Sequence, residues 1–562
     1  MCSMLPRLGP PLAIAVLAGP ILFGLAGTIL PAFGYLPALG GTGFTLAHAE
    51  KLLTQPGIMM SALISLAAGL VTTAVSLGVV MLFIAGWAGT HIFSRIQHLV
   101  SPLLSVPHAA AAFGLAFLIA PSGMIARMLS PWLTGWERPP DLLIVNDPTG
   151  LSMIAGLIVK EIPFLLLIAL AALPQVDLPR TRALAASLGY GRVAGFLHGV
   201  WPPLYRQMRL AVFAVVAFAT SVVDVAAILG PTTPAPLAVR LVGWMNDPEL
   251  SMRFFASAGA LLQLCVSAAA LLIWIALERL GAAMLRRLRR SGLRFRRDAW
   301  LRRAALAAMV TAAMTVLAGL ATLAIWSFAG LWQFPDALPE TFTAKTWMKT
   351  APRLAAPLSV TLIVAAASTT LAIALTLLCL MRENETGRVA GRRALLFLYL
   401  PLLVPQAAFL FGLQLLFVFT GGVASLPALV LAHLTFVMPY VFLSLSDPWR
   451  AYDRRYEAIA AGLGKSRIAT LLRVRLPMLS RAILVAAAVG FAVSVGQYLP
   501  TVLIGAGRLE TITTEAVALA SGGNRRVIGV YAFLQMLLPA AGFAVATLVP
   551  ALVFRNRRAM RV

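Results

Sequence analysis

The sequence predicts an all-α protein that crosses a membrane about twelve times, and three observations carry that prediction. Sixty per cent of the 562 residues are hydrophobic and only 12% are charged, with a mean hydropathy of +0.89. A water-soluble chain of this length has no use for so much apolar surface, so its solvent is a bilayer. The apolar residues also gather in runs of roughly 20 or more, the length that spans a hydrocarbon core. Finally, the arginines stand in short clusters between those runs. The net charge of +25 would suggest nucleic acid in a soluble chain; here it reads as topology, with the bilayer as partner and no nucleic acid.

In order, the first half offers spans at 10–33, 58–88, 99–120, 149–173, 207–230 and 254–280. The run 10–33 is followed by no clean small-residue cleavage site and reads as a retained span, with a removed signal peptide as the alternative. The second half offers 304–330, 355–381, 395–420, 426–445, 482–504 and 528–553. Between the halves, 281–303 carries Arg286, Arg287, Arg289, Arg290, Arg294, Arg296, Arg297, Arg302 and Arg303 against Asp298 alone. The stretch 382–393 and the tail RNRRAMRV are basic too. With twelve spans all of these fall on one side, which is then the cytoplasm, with both termini on it. The Pro/Gly-rich loops 34–57, 121–148, 231–253, 331–354 and 505–527 fall on the other and are too short for a separate domain. The chain divides into a first repeat (1–285), a basic linker held at the anionic membrane surface (286–303) and a second repeat (304–562).

The repeats are marked by a stretch of 21 residues that occurs twice, as RALAASLGYGRVAGFLHGVWP from Arg182 and as EAIAAGLGKSRIATLLRVRLP from Glu457. Ala183, Ala185, Ala186, Leu188, Gly189, Arg192, Ala194, Leu197 and Pro202 fall on Ala458, Ala460, Ala461, Leu463, Gly464, Arg467, Ala469, Leu472 and Pro477, nine identities without a gap. Chance would give roughly two, so the chain is duplicated. Six spans separate the copies. That even number puts both on one face and makes the duplication parallel, unlike the inverted repeats of many secondary transporters. Small alanines at helical spacing allow close approach of another surface. The glycine supplies a left-handed cap, and the proline opens a new helix without losing a backbone bond.

At these residues the block resembles the EAA loop of the membrane subunits of binding-protein-dependent ABC importers: Glu-Ala-Ala, three residues, Gly, nine residues, then hydrophobic-x-Leu-Pro. Gly464, Val474, Leu476 and Pro477 match in register; Gly189 and Pro202 match in the first copy, where Trp201 replaces the leucine. Ala183 and Ala458 stand where the family has its glutamate, and Glu457 lies one residue early. SVGQYLPTVLIGAGRLETITTEAVALASGGNRRVIGVYAFLQMLLP and VPHAAAAFGLAFLIAPSG resemble one branch of fused importer permeases, associated with thiamine and related to the ferric-iron permeases. The resemblance implies a type I ABC importer permease fold of two parallel six-helix repeats in a bacterial inner membrane. It implies two copies of a cytoplasmic ATP-binding subunit seated on the two loops, a periplasmic substrate-binding protein, and no cofactor. The coupling residues would be Ala183, Ala185, Ala186, Gly189, Arg192 and Pro202, with Glu457, Ala458, Ala460, Ala461, Gly464, Arg467 and Pro477.

Four residues are candidates for the translocation pathway. Lys160 and Glu161 lie mid-span before Pro163, whose counterpart is Pro439. Each charge costs about 2.5–3.5 kcal/mol at a helix centre, so both face protein or water, either along a pathway or as a structural ion pair. Asp224 aligns with Gln497, each three residues after a serine, at equivalent depth in the two halves. An ATP-independent carrier using Lys160, Glu161 and Asp224 for ion coupling is the alternative function. Other chemistry is excluded. Gly464-Lys465-Ser466 lacks both the earlier glycine and the strand of a phosphate-binding loop. Cys2, Cys265 and Cys379 make neither a disulfide framework nor a metal site. His48, His91, His98, His108, His198 and His433 are scattered and read as packing or interfacial residues. No catalytic set appears.

Overall fold

The structure is a computed structural model that describes residues 5–389 and 391–553, with the backbone alone for Leu5, Arg392, Arg393 and Arg467. The basic tail, expected in the cytoplasm, lies outside the described residues. Apart from two isolated bridges, the regular structure among the described residues is helical. The first half contributes α1 (Leu5–Ala32), α2 (Ile58–Trp87), α3 (His108–Ile119), α4 (Leu151–Ala172), α5 (Leu178–Ser187), α6 (Arg192–Gly199), α7 (Trp201–Ser221), α8 (Asp224–Leu229) and α9 (Met252–Arg290). The second contributes α10 (Ala299–Phe328), α11 (Lys345–Thr386), α12 (Arg392–Leu403), α13 (Gln406–Phe419), α14 (Leu426–Ala451), α15 (Arg455–Gly462), α16 (Ser480–Val495), α17 (Leu499–Gly505) and α18 (Arg525–Val553).

Among the described residues nine helices are long and apolar enough to cross a bilayer, and two bent pairs raise the number to eleven. Four of the twelve expected spans differ from simple rods: 99–120 holds a 3-10 turn (Ser101–Ser105) and an extended Val106-Pro107 before α3. The span 395–420 is α12 and α13, bent by 91° at Val404-Pro405. The span 482–504 begins with α16, which meets the preceding helical stretch at 72° and stops at Val495 before α17. The span 207–230 is α7, which carries Arg206 and Arg209 in its early turns and breaks at Val222 before α8.

The first long helix of each half lies on the opposite half. Helix α1 packs mainly on α13 and α11, while α10 packs on α3, α18 and α2. Hydrocarbon offers no hydrophobic drive for association, so such crossings rely on close backbone approach through small residues. Here a Cβ on Gly412 would fall 1.9 Å from the Gly24 carbonyl oxygen, and one on Gly114 would fall 2.9 Å from the Gly319 backbone. Thr28 Oγ1 accepts the Gly412 N–H at 3.1 Å. At one end of the molecule Arg127 reaches across to the Gln333 and Asp336 carbonyls, 2.7 and 3.1 Å, with its guanidinium 4.6 Å from the Trp332 ring. Arg525 returns the contact by donating to the Ser122 carbonyl at 2.9 Å. Both repeated loops lie at the other end.

Candidate functional site: a cavity between the halves and two tethered loops

A cavity of about 250 Å³ lies between the halves, and Lys160, Glu161, Asp224 and Gln497 all line it. Its walls form where helices break. Helix α7 ends at Ser221, Val222 is extended, and Asp224 opens α8; in the second half α16 ends at Val495 and α17 opens at Leu499, leaving Gln497 in the gap. Unwound backbone is tolerated at membrane depth only where protein or water satisfies its polar groups. Gln263 Nε2 donates to the Thr220 carbonyl at 3.0 Å, and Thr513 Oγ1 donates to the Val495 carbonyl at 2.5 Å, itself receiving a bond from Gln535. The two breaks are thus held open by separate side chains.

Lys160 and Glu161 do not form the structural ion pair that their adjacency suggested. Neighbouring residues on a helix point in different directions. The Lys160 ammonium donates to the Leu103 and Leu104 carbonyls, 3.0 and 3.2 Å away, in the turn before α3. The Glu161 carboxylate meets His108 Nε2 at 3.1 Å. Both side chains are buried. Asp224 is 8% exposed; His108 and Tyr498 lie close enough to interact with its charge, as Tyr440 does with Glu161. Nothing among the described residues groups three or more metal-ligating side chains.

Sequence reasoning read His108 as a packing or interfacial histidine and passed over Gln406, Tyr440 and Tyr498; all four line the cavity. A signal for the first two was present. Val106-Pro107-His108-Ala109-Ala110 and Val404-Pro405-Gln406-Ala407-Ala408 share four of five residues, and each is followed by Phe-Gly-Leu (Phe113 to Leu115, Phe411 to Leu413). These two prolines open α3 and α13, and the glycines of the two Phe-Gly-Leu stretches are those of the close crossings.

Each repeated loop is two short helices joined at a left-handed glycine, Gly189 at φ +79° and Gly464 at φ +71°. Asp177 caps α5 by accepting the Arg180 N–H at 3.1 Å. Ala185 is small because α6 crosses it: a Cβ on Gly195 would fall 2.6 Å from its methyl group. Ala460 is buried in the second copy, whereas Ala183, Ala186, Ala458 and Ala461 face outward. Pro202 and Pro477 stand in the first turns of the helices that follow. The side chain of Arg467 lies outside the described residues.

The two loops are tethered differently from aligned positions. Arg182 donates to the Ala88 and Ala85 carbonyls at 2.7 and 3.1 Å, and Arg192 to the Gly86 carbonyl at 3.1 Å. These are the last turn of α2, whose carbonyls lack intrahelical partners and carry the negative end of the helix dipole. Burial, and then the neighbouring Arg192, hold the Arg182 guanidinium below its ordinary pKa. In the second loop Glu457 accepts from Arg475 Nη1 at 2.8 Å, Nη2 donates to the Trp449 carbonyl at 3.2 Å, and the guanidinium lies 3.7 Å from the Trp449 ring. Arg192 and Glu457, read above as coupling residues, are therefore engaged within the chain. Both loops also present exposed apolar side chains: Leu184 (58%) and Leu188 (59%) in one, Ile459 (60%) and Leu463 (71%) in the other, at aligned positions one helical turn apart.

No family model matches the chain. It is 31% identical over 518 residues to the inner membrane ABC transporter permease protein YnjC of Escherichia coli K12, covering 92% of this chain and 93% of that protein. It is also 25% identical over 177 residues to the spermidine/putrescine transport system permease protein PotC of Haemophilus influenzae, covering 32% of this chain and 68% of that one.

Proposed function

The chain belongs to the ABC transporter permeases, and from that premise we propose that it is the fused translocation subunit of an inner-membrane importer, built from two parallel repeats. Substrate arrives from a periplasmic binding protein and passes through the cavity that Lys160, Glu161, Asp224 and Gln497 line. Two cytoplasmic ATP-binding subunits seat one loop each, on Leu184 and Leu188 and on Ile459 and Leu463. Both termini are cytoplasmic. ATP is hydrolysed by the partner and not by this chain.

The observation that carries this reading is the pair of aligned, exposed apolar side chains on two loops at one end of the molecule. Each is held to the transmembrane body by an arginine bonded to backbone carbonyls. A rigid tether is what transmission requires, because ATP binding must favour one arrangement of the halves over the other by a few kcal/mol. The cargo is a small cation, thiamine or ferric iron by sequence resemblance. Glu161 and Asp224 are the carboxylates that line the cavity, and Tyr440 and Tyr498 add aromatic faces and hydroxyls. The test is reconstitution with the ATP-binding subunit and the binding protein. ATP hydrolysis should rise with loaded binding protein and fall to the basal rate in Ile459→Asp/Leu463→Asp. Uptake that persists without the ATP-binding subunit would instead establish the ATP-independent carrier.

A further inference from the structure

Among the described residues the interhalf linker bonds to the first loop and not to the second. The Gly191 N–H donates to the Arg294 carbonyl at 2.9 Å, and Arg296 Nε donates to the Gly189 carbonyl at 3.1 Å. Asp298 Oδ2 accepts the Val193 N–H at 2.8 Å while its other oxygen takes Arg302 at 3.0 Å. Arg289 Nη2 closes the far side on the His198 carbonyl at 2.8 Å. A Cβ on Gly189 would fall 2.9 Å from Arg296 Nη2 and 3.0 Å from Arg294 Nη1, whereas one on Gly464 would meet nothing within 4 Å. The same turn is thus flanked by two guanidinium groups in one loop and open in the other.

We propose that Arg294 and Arg296 form part of the docking surface for the ATP-binding subunit on the first loop only, and that they meet an acidic patch on it. This inference rests on the coupling role proposed for the loops. A partner seated on Leu184 and Leu188 covers a helix that ends at Gly189, where the two guanidinium groups stand. The linker's single carboxylate, Asp298, is already committed to Val193 and Arg302, so the exposed charge is uniformly positive and selects an acidic surface. The second loop has no such addition. The subunit on the first loop is therefore held by apolar contact plus charge, and the one on the second by its own loop alone.

The experiment uses the full chain in nanodiscs and its cognate ATP-binding subunit, with affinity measured over a range of salt. Arg294→Glu is the informative variant, because the clasp uses only the main-chain carbonyl of that residue. It should weaken binding about tenfold at low salt and flatten the salt dependence, and Arg294→Lys should restore both. Unchanged affinity in Arg294→Glu, with loss of binding in Ile459→Asp/Leu463→Asp, overturns the linker surface and leaves the coupling loops standing. Unchanged affinity in both variants overturns the coupling role as well. An effect of Arg294→Glu seen in phosphatidylglycerol nanodiscs and absent in phosphatidylcholine ones assigns the arginines to anionic lipid, and this also overturns the proposal.

Discussion

Arg475→Leu tests whether the second loop is held by one side chain. Arg475 is 4% exposed and touches the Glu457 carboxylate at 2.8 Å, the Trp449 carbonyl at 3.2 Å, the Trp449 ring at 3.7 Å and the Tyr452 ring at 4.9 Å. A charge-assisted hydrogen bond contributes about 1.5–3 kcal/mol and a desolvated cation–π contact about 2 kcal/mol. The Glu457 side chain is 38% exposed, so solvent screens that pair and the lower figure applies. Against these stands Arg475 Nε, buried without a partner, whose removal returns about 1 kcal/mol. The net loss is about 4 kcal/mol, roughly a 1,000-fold rise in local opening. Hydrogen exchange of amides in 455–470 should therefore accelerate about 1,000-fold while those in 178–199 are unchanged. Substrate-stimulated ATP hydrolysis should fall with membrane insertion intact. Unchanged exchange in 455–470 would refute the tether, and equal acceleration in both loops would show a general loosening instead.

Asp224→Asn should lower transport about tenfold or more, through loss of a charged contact, while co-purification of the ATP-binding subunit is unaffected; normal transport would return Asp224 to a structural role. Gly412→Ala should lower the thermal midpoint, because its methyl group would fall 1.9 Å from the Gly24 carbonyl oxygen, whereas Gly19→Ala, with nothing within 4 Å, should not. Asp147 accepts the Leu151 and Ser152 N–H groups and the Thr149 and Ser152 hydroxyls at 2.6–2.9 Å; burial opposes its charge, yet these bonds hold its pKa down to about 2. Its folded value lies below the ordinary 3.8, so its contribution is complete above that pH and drains away as pH falls toward 2. Asp147→Asn should thus cost about 1 kcal/mol at neutral pH, and the gap in thermal midpoint should narrow on acidification.

Much of this architecture is legible in the residues because bilayers impose long apolar runs; the exception is 207–230, whose helix α7 carries Arg206 and Arg209 and is not among the helices long and apolar enough to span. The bends are less legible. Hydropathy does not distinguish a straight helix from two meeting at 91° in the same apolar run. The four candidate pathway residues do meet in one cavity, because a polar group inside an apolar run must face something other than lipid. Their partners were hidden for a different reason. His108 and Gln406 follow a proline at a helix start, a place where polar residues are common and carry no signal singly. The loops show the same limit: identities draw attention to the alanines, yet the outward apolar pairs are Leu184 with Leu188 and Ile459 with Leu463. Arg182 and Glu457 carry opposite charge in one alignment column, and each nevertheless takes part in tying its loop to the helices behind it.

That inversion shows how the two halves of the proposed duplication would be free to diverge. A position that serves a packing need common to both halves keeps its residue, as Gly114 and Gly412 do at their helix crossings. A position that faces the cavity has no such constraint, because the molecule contains each copy once. The first half accordingly supplies His108, Lys160, Glu161 and Asp224, and the second supplies Gln406, Tyr440, Gln497 and Tyr498. Charge therefore comes from one wall, neutral hydrogen-bonding and aromatic groups from the other. For the cationic cargo proposed above, the attraction would come from Glu161 and Asp224 of the first half, with the Lys160 ammonium turned to the Leu103 and Leu104 carbonyls. Under that proposal the two walls would give the cargo a defined orientation, which two identical halves related by symmetry would not.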